Sequence, residues 1–155
     1  MASIDPTQLV TRPAVEADAD FIFSLMERTM RDYVIGTFGA WDPRWQRERF
    51  NQHFAPANIQ VLRLDERDVG TLWVEERERT LFLRSVQVIP EAQRRGVGAA
   101  AVRLFLADAN KRGLDAALQV LRVNPARRLY ERLGFHVTGE NATHFLMSFS
   151  PHQSP

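Results

Sequence analysis

The sequence predicts an α/β protein with a mixed, mostly antiparallel central sheet of about seven strands, flanked by about four helices. Alternating apolar and polar residues recur over 59–89, which is typical of consecutive antiparallel strands. An alanine-rich helical segment over 96–113 leads into another strand-like segment, and such a unit joins parallel strands. The chain has 155 residues, of which 45% are hydrophobic, and this suffices for a single domain with its own core.

Turn-forming residues separate the predicted elements along the chain. We expect a strand at 9–14, helices at 17–34 and 42–54, strands at 59–65, 69–76 and 80–89, a helix at 96–113, a strand at 115–123, a short helix at 124–135 and a closing hairpin at 134–150. The single domain is expected to span 1–150, with a frayed polar tail at 151–155.

Capping residues support the two N-terminal helices. Asp18 is the expected N-cap of the first helix, and the glycines Gly36 and Gly39 are expected to break it. Asp42 as a cap, with Pro43 at the first helical position, predicts the start of the second helix.

Proline and glycine also delimit the second half of the chain. Pro90 ends the third strand of the antiparallel meander, and Gly113 ends the alanine-rich helix. Pro125 lies near the start of the short helix and Gly134 at its end. The sequence therefore predicts a strand–helix–strand unit inserted into a mostly antiparallel sheet.

Composition excludes several classes of function. The chain contains no cysteine, so disulfides, thiolate metal sites and a cysteine nucleophile are ruled out. The formal net charge of +1 argues against bulk binding of nucleic acid. The spacing of His53 and His144 does not fit a metal site. With neither a signal-peptide pattern nor an apolar run of membrane length, we expect a soluble cytoplasmic protein.

A glycine-rich loop, Gln-Arg-Arg-Gly-Val-Gly at 93–98, connects the third meander strand to the alanine-rich helix. Glycines let an anion approach the free amides at a helix N-terminus, and the arginines add donors. An ordinary turn with solvated arginines is the alternative. A nicotinamide-dependent oxidoreductase is a further alternative, but it requires an acidic residue at the end of the next strand, whereas Asp115 precedes that strand.

Two motifs carry a resemblance to a known family. The first is Val88-x-Pro90 followed by Gln93-x-x-Gly96-x-Gly98-Ala99, and the second contains Asn124, Ala126, Tyr130 and Gly134-Phe135. Together they resemble the signature of the GNAT acetyltransferase superfamily.

The resemblance implies acetyl-coenzyme A as co-substrate, without a metal, and an amine of a small molecule or peptide as acceptor. It implies that the pyrophosphate lies on the amides of residues 94–99 and that the strand carrying Val86 is splayed from its parallel neighbour. The implied coenzyme-binding residues are Val86, Gln87, Val88, Gln93, Arg94, Arg95, Gly96, Val97, Gly98, Ala99, Asn124, Ala126 and Tyr130. A homodimer is compatible with the resemblance, and a non-catalytic regulatory module that binds acetyl-coenzyme A is an alternative function.

The resemblance also implies roles in the reaction. Tyr130 would act as the acid for the departing thiolate, and the N–H of Val88 would polarise the thioester carbonyl. Phe82 occupies the position at which the histone-modifying branch of the family has a glutamate base. Glu75 and Glu76 on the neighbouring strand are candidate bases, with a solvated turn flank as the alternative for each.

Candidate acceptor residues lie around the break between the first two helices, where Tyr33, Trp41 and Trp45 could line a pocket or pack in the core. Arg84 shares a strand face with Val86 and could bind an acceptor carboxylate, or it could be an exposed arginine at the sheet surface.

Overall fold

A computed structural model describes residues 8–149, and it contains the predicted elements in the predicted order. The strands are β1 (Val10–Pro13), β2 (Ile59–Leu64), β3 (Arg67–Arg77), β4 (Thr80–Val88), β5 (Asp115–Leu121), β6 (His136–Glu140) and β7 (His144–Phe149). The helices are α1 (Ala19–Phe38), α2 (Pro43–His53), α3 (Val97–Arg112) and α4 (Ala126–Arg132). The tail expected to fray, at 151–155, lies outside these described residues.

The strands form one mixed sheet in the order β1-β2-β3-β4-β5-β7-β6. Among the described strands only β4 and β5 run parallel, and every other neighbouring pair is antiparallel. The predicted fold class is thereby confirmed. A doubly wound nicotinamide-binding sheet would instead be mostly parallel, so this architecture argues against the oxidoreductase alternative.

The parallel pair diverges after four residues of pairing. The register runs from Thr80 opposite Asp115 to Leu83 opposite Leu118, and no pairing joins the two strands beyond it. Both strands nevertheless continue, β4 to Val88 and β5 to Leu121. A gap therefore opens between them, as the resemblance implied.

β4 follows β3 rather than β5 through this region. The antiparallel register with β3 continues to Val88 opposite Gly70, and it contains one bulge at Trp73 and Val74. At Gly70 the two backbones approach so closely that an added Cβ would lie 2.3 Å from the carbonyl oxygen of Gln87. Because only glycine permits that approach, Gly70 helps to hold the end of β4 against β3.

Two hydrophobic cores cover opposite faces of the sheet. Successive residues of a strand point to opposite faces, so Val61 and Leu62 of β2 belong to different cores. Leu62 packs in the core that contains Phe105 of α3, and Val61 packs in the core that contains Phe50 of α2 and Trp73. Burial on both sides fixes the helices relative to the gap.

The first helix differs from its predicted form. α1 continues through Gly36 and ends at Phe38, with Gly39 in a left-handed conformation at its C-cap. The prediction that Gly36 breaks the helix is wrong, since glycine only weakens a helix whose apolar face is buried by tertiary packing.

Asp18 occupies the N-cap position of α1, as expected, but its side chain does not cap the helix. The Asp18 side chain makes no capping hydrogen bond to α1. Its carboxylate instead accepts hydrogen bonds from the Arg12 guanidinium, at 2.9 Å, and from the N–H of Val15, at 2.8 Å. By contrast, Asp42 caps α2 as predicted, accepting from the N–H groups of Arg44 and Trp45.

No helix within residues 8–149 combines the length and apolar character that crossing a membrane would require.

Gly70→Ala is expected to lower the free energy of unfolding by about 2–3 kcal/mol, because the methyl group overlaps the Gln87 carbonyl and forces the strands apart. Urea denaturation measures the change. Gly36→Ala is the matched control: nothing lies within 4 Å of the added Cβ, so the helix should gain about 0.5–1 kcal/mol. A Gly70→Ala protein as stable as the wild type would contradict the close approach.

Candidate active site

A cavity of about 1210 Å³ opens where β4 and β5 diverge. Its walls come from the end of β4, the start of α3, the end of β5, α4 and the facing parts of α1 and α2. The cavity lies at the carboxyl ends of the parallel strands, where open α/β sheets bind their ligands.

Most of the predicted site residues line this one cavity. They are Tyr33, Trp45, Arg84, Val86, Gln87, Val88, Gln93, Arg94, Gly96, Val97, Gly98, Ala99, Asn124, Ala126 and Tyr130. Four predicted residues do not line it, namely Trp41, Glu75, Glu76 and Arg95. The structure thus gathers residues from both motifs into one wall, although the two motifs lie far apart in sequence.

The glycine loop leaves a row of free backbone donors. Gly96 has a φ of +85° and Arg94 a φ of +65°, which turn the chain sharply into α3. In the part of the chain that the structure describes, the N–H groups of residues 94–99 donate no hydrogen bond, and the first such bond in α3 runs from Ala100 to Gly96 at 3.0 Å. These amides, at the positive end of the α3 dipole, form a site suited to an anion.

Packing within the protein does not require a glycine at position 98. A Cβ at this position would meet Leu129 at 3.8 Å and Val88 at 4.0 Å, which are ordinary contacts. A small side chain therefore fits here, whereas a long acidic one would project from the helix start towards the free amides.

Gln93 anchors the loop to β4. Its side-chain amide donates a hydrogen bond of 3.0 Å to the carbonyl oxygen of Val88. This contact links the anion site to the end of the splayed strand, so the two parts of the cavity keep a fixed relation.

The splayed end of β4 directs backbone groups into the gap. The N–H of Ile89 donates to the carbonyl of Val69, at 2.8 Å, on the β3 side. Because successive N–H groups of a strand point to opposite edges, those of Val86 and Val88 point towards the gap left by β5. The Val88 N–H is thus available to a ligand carbonyl in the cavity.

Tyr130 lies on α4 with 8% of its surface exposed, and its ring packs edge-on against Phe135 at 5.9 Å. Burial raises the pKa of the Tyr130 hydroxyl to about 12. Within residues 8–149 this hydroxyl makes no hydrogen bond. Tyr130 therefore presents a protonated donor to the cavity at any ordinary pH.

Asn124 initiates α4, because its side-chain oxygen accepts a hydrogen bond of 2.9 Å from the N–H of Ala126. Its side-chain nitrogen makes no hydrogen bond among the residues described. Asn124 can therefore cap the helix and still offer a donor to a bound molecule.

Glu75 is held by two arginines outside the large cavity. Arg77 contacts its carboxylate at 2.8 Å and Arg84 at 3.0 Å. Burial alone would raise the pKa of the Glu75 carboxyl, but the hydrogen bonds and charges of Arg77 and Arg84 hold it below its ordinary value. A lowered pKa makes Glu75 a weak proton acceptor, and Glu76 is engaged by Arg112 at the end of α3.

Several cavity residues were not among the sequence predictions. Arg49 on α2 lines the cavity, and its position one helical turn after Trp45 could have indicated it. Thr29 of α1 hydrogen-bonds the Gln87 side chain, which joins α1 to β4. His144 also lines the cavity, and burial lowers its pKa. Neither Thr29 nor His144 lies in a motif, so no local signal marked them.

No three His, Asp or Glu side chains within 8–149 gather as ligands for a metal ion. A metal-free site stays a prediction.

Comparison of the sequence with protein families identifies one match. The model of the acetyltransferase (GNAT) family matches residues 22–135, which contain the splayed strands and both motifs. No curated protein sequence matches the chain.

Solved structures with the same fold include several acetyltransferases. The PaiA N-acetyltransferase from Thermoplasma acidophilum, in complex with coenzyme A, has a TM-score of 0.75 and 14% identity, covering 92% of this chain and 98% of its own. The ribosomal-protein-S18-alanine N-acetyltransferase from Escherichia coli has a TM-score of 0.69 and 17% identity, covering 91% and 92%. A nourseothricin acetyltransferase is 30% identical, with a TM-score of 0.54, over 59% of this chain and 63% of its own.

Gly98→Glu is expected to weaken the binding of coenzyme A by roughly 100-fold or more, because its carboxylate would occupy the anion site. Isothermal titration calorimetry measures the affinity. Gly98→Ala is the matched control, which should bind within about threefold of the wild type because a methyl group fits here. Unchanged affinity in Gly98→Glu would show that the free amides are not the anion site.

Proposed function

The chain belongs to the acetyltransferase (GNAT) family, and from this premise we propose that it transfers the acetyl group of acetyl-coenzyme A directly to an amine of a small molecule or peptide. The observation that carries the proposal is the combination of free amides at 94–99 with the gap between β4 and β5. The amides suit a pyrophosphate, and the gap suits the extended arm of the same molecule. A plain phosphate site would need no gap.

The donor would bind through backbone groups more than through side chains. The N–H groups of residues 94–99 would hold the pyrophosphate, with Arg94 beside them at the cavity wall. The backbone of Val86 would pair with an amide of the pantetheine arm, as a replacement for the missing β5 partner. The free side-chain nitrogen of Asn124 would add one donor from the opposite wall.

The transfer itself needs no covalent enzyme intermediate. The amine nitrogen attacks the thioester carbonyl carbon, the carbon–sulfur bond breaks, and coenzyme A leaves as a thiolate, while the former amine loses one proton to solvent. The N–H of Val88 points to the side of β4 where the carbonyl oxygen would lie, and it would stabilise the negative charge that develops there.

Tyr130 would assist the leaving sulfur as a hydrogen-bond donor. Its pKa of about 12 lies well above the value near 8.5 that is typical of a thiol. Complete proton transfer from Tyr130 to the thiolate would therefore be uphill by about 5 kcal/mol. A charge-assisted hydrogen bond avoids this cost and still stabilises the developing thiolate.

The amine proton would be removed by water, or the acceptor would bind with its amine already neutral. Glu75 is a weak base because Arg77 and Arg84 stabilise its ionised form. Asp42 is the only carboxylate in the described cavity wall, and it caps α2. A lysine-like amine costs about 4.6 kcal/mol to deprotonate at pH 7, and an acceptor of lower basicity would cost less because more of it is already neutral.

A regulatory module that binds acetyl-coenzyme A without catalysis is the second candidate function. It is favoured by Phe82 in the place of a glutamate base and by the two arginines that hold Glu75. Release of free thiol in the presence of an amine separates the two functions, because a binding module releases none.

Tyr130→Phe is expected to lower kcat for thiol release by roughly 10-fold to 100-fold, since it removes one charge-assisted hydrogen bond to the leaving group. The affinity for acetyl-coenzyme A should change by less than about twofold, because the ring still packs on Phe135. Steady-state kinetics and calorimetry measure the two effects separately. Equal losses in binding and turnover would assign Tyr130 a structural role, and thiol release independent of any amine would count against transfer to an amine.

A further inference from the structure

A second, smaller cavity adjoins the first on the side of α1 and α2. It has a volume of about 230 Å³ and shares wall residues with the large cavity, among them Arg49, Arg84, Ser85 and Gln87. The shared stretch of β4 immediately precedes Val88, whose N–H would hold the thioester carbonyl. A molecule in the small cavity would thus lie beside the reacting carbon, where the acceptor must be.

The wall of the small cavity carries positive charge and no negative charge. Arg49 and Arg84 line it, and no Asp or Glu within the described chain does. Trp41 also lies in this wall, and the nearby Glu27 accepts a hydrogen bond of 3.0 Å from its indole N–H. An acceptor whose charges are all positive would find no counter-ion in this wall and would meet like charges.

Arg49 is the cation in this wall that is free for a ligand. Arg84 is paired with Glu75 at 3.0 Å, and its guanidinium lies over the Trp73 ring at 4.8 Å. Arg49 forms no ion pair with any described residue, and its guanidinium lies 5.5 Å from the centre of the Trp45 ring. A guanidinium of this kind binds a carboxylate through two parallel hydrogen bonds.

Trp73 supplies an independent indication of a missing ligand. Its side chain lines the small cavity and is 5% exposed, yet its indole nitrogen is buried with no hydrogen-bond partner. Buried donors in folded proteins are nearly always paired, and an indole N–H can only donate. Trp73 thus adds a wall residue whose buried donor lacks an acceptor, while the donors open to a ligand in this wall are those of Arg49, the complement of an oxygen-rich anionic group.

The remaining wall limits the size and polarity of the acceptor. Ile22, Met26 and Phe50 contribute apolar surface, and the volume of about 230 Å³ lies below the range for drug-sized ligands. The site thus fits a compact molecule with one anionic end and an apolar body.

We propose that the acceptor is a small amine that carries a carboxylate, of the amino-acid class, with Arg49 binding the carboxylate. This inference depends on the proposed acetyl transfer, because it identifies the acceptor of that same site. Arg49 would orient the amine towards the thioester and would exclude diamines and other purely cationic amines.

The first test compares acceptors that differ in a single charge. Glycine, alanine, leucine and phenylalanine are each compared with their carboxamides, and 1,4-diaminobutane is added as a dication, using thiol release as the assay. Values of kcat/KM are divided by the fraction of neutral amine, because the carboxamides are less basic. At least one amino acid is expected to exceed its carboxamide at least tenfold, and Arg49→Gln should reduce that ratio to less than twofold by raising KM.

Matched variants separate recognition of the carboxylate from a general effect of charge. Arg49→Lys keeps the charge but loses the paired donors, so it should retain part of the preference. Arg44→Gln removes an arginine from the same helix that is 90% exposed in its side chain and lines neither cavity, so it should leave the ratio unchanged. A carboxamide or the diamine used as well as every amino acid would overturn the proposal.

A binding measurement tests the carboxylate site even if no amine is acetylated. The N-acetylated forms of the same amino acids and carboxamides are titrated into protein saturated with coenzyme A. Tighter binding of an N-acetylamino acid by at least tenfold, lost in Arg49→Gln, supports the carboxylate site whatever the turnover. Equal or absent binding of both forms overturns it. If no amine causes thiol release, the proposed acetyl transfer is contradicted. The binding comparison still decides, independently of turnover, whether Arg49 binds a carboxylate.

Discussion

The divergence of β4 from β5 is the constraint on which the rest of the site depends. β4 keeps its full pairing with β3, up to Val88 opposite Gly70, but pairs with β5 only as far as Leu83. Backbone groups that an ordinary sheet would satisfy are thereby left for a ligand. Gly70 supports this arrangement from the other side, because its missing side chain lets β3 hold the end of β4 closely.

The glycine loop, like the end of β4, leaves backbone N–H groups without hydrogen-bond partners inside the protein. Gly96 in a left-handed conformation turns the chain into α3, and the amides of 94–99 remain free. Gln93 joins this loop to the carbonyl of Val88, which links the free amides directly to the end of the splayed strand. In the proposed function, recognition of the donor would depend on backbone geometry, and the side chains of the cavity would select the acceptor.

Local sequence signals predicted the fold, and they selected residues that the structure brings together in one cavity. Gly96, Gly98 and Tyr130 stand in contiguous motifs, and the antiparallel strands of the meander show their alternation directly. The failures occurred where tertiary packing outweighs local preference. Gly36 remains inside α1, and Asp18 binds Arg12 across the turn that precedes α1 in place of capping the helix.

The proposed acceptor side could be predicted only in part. Arg84 and Trp41 were candidates by sequence and line the small cavity, whereas Arg49 and Trp73 join them there only in the folded chain. Arg49 of α2 meets Trp73 of β3 and Arg84 of β4 in one small cavity, although none of them shares a motif. Glu75 was a candidate base by sequence, but the bulge and register of β3 and β4 bring Arg84 to its carboxylate. Such cross-strand pairing changes the chemistry of a residue without any local signature.

The most direct test of the central claim is amide hydrogen exchange, measured with and without saturating coenzyme A. We expect exchange to slow at residues 94–99 and at Val86 and Val88, because these N–H groups gain acceptors from the ligand, and we expect NAD to cause no such change. Saturating binding of coenzyme A that leaves the exchange of these amides unchanged would contradict the account.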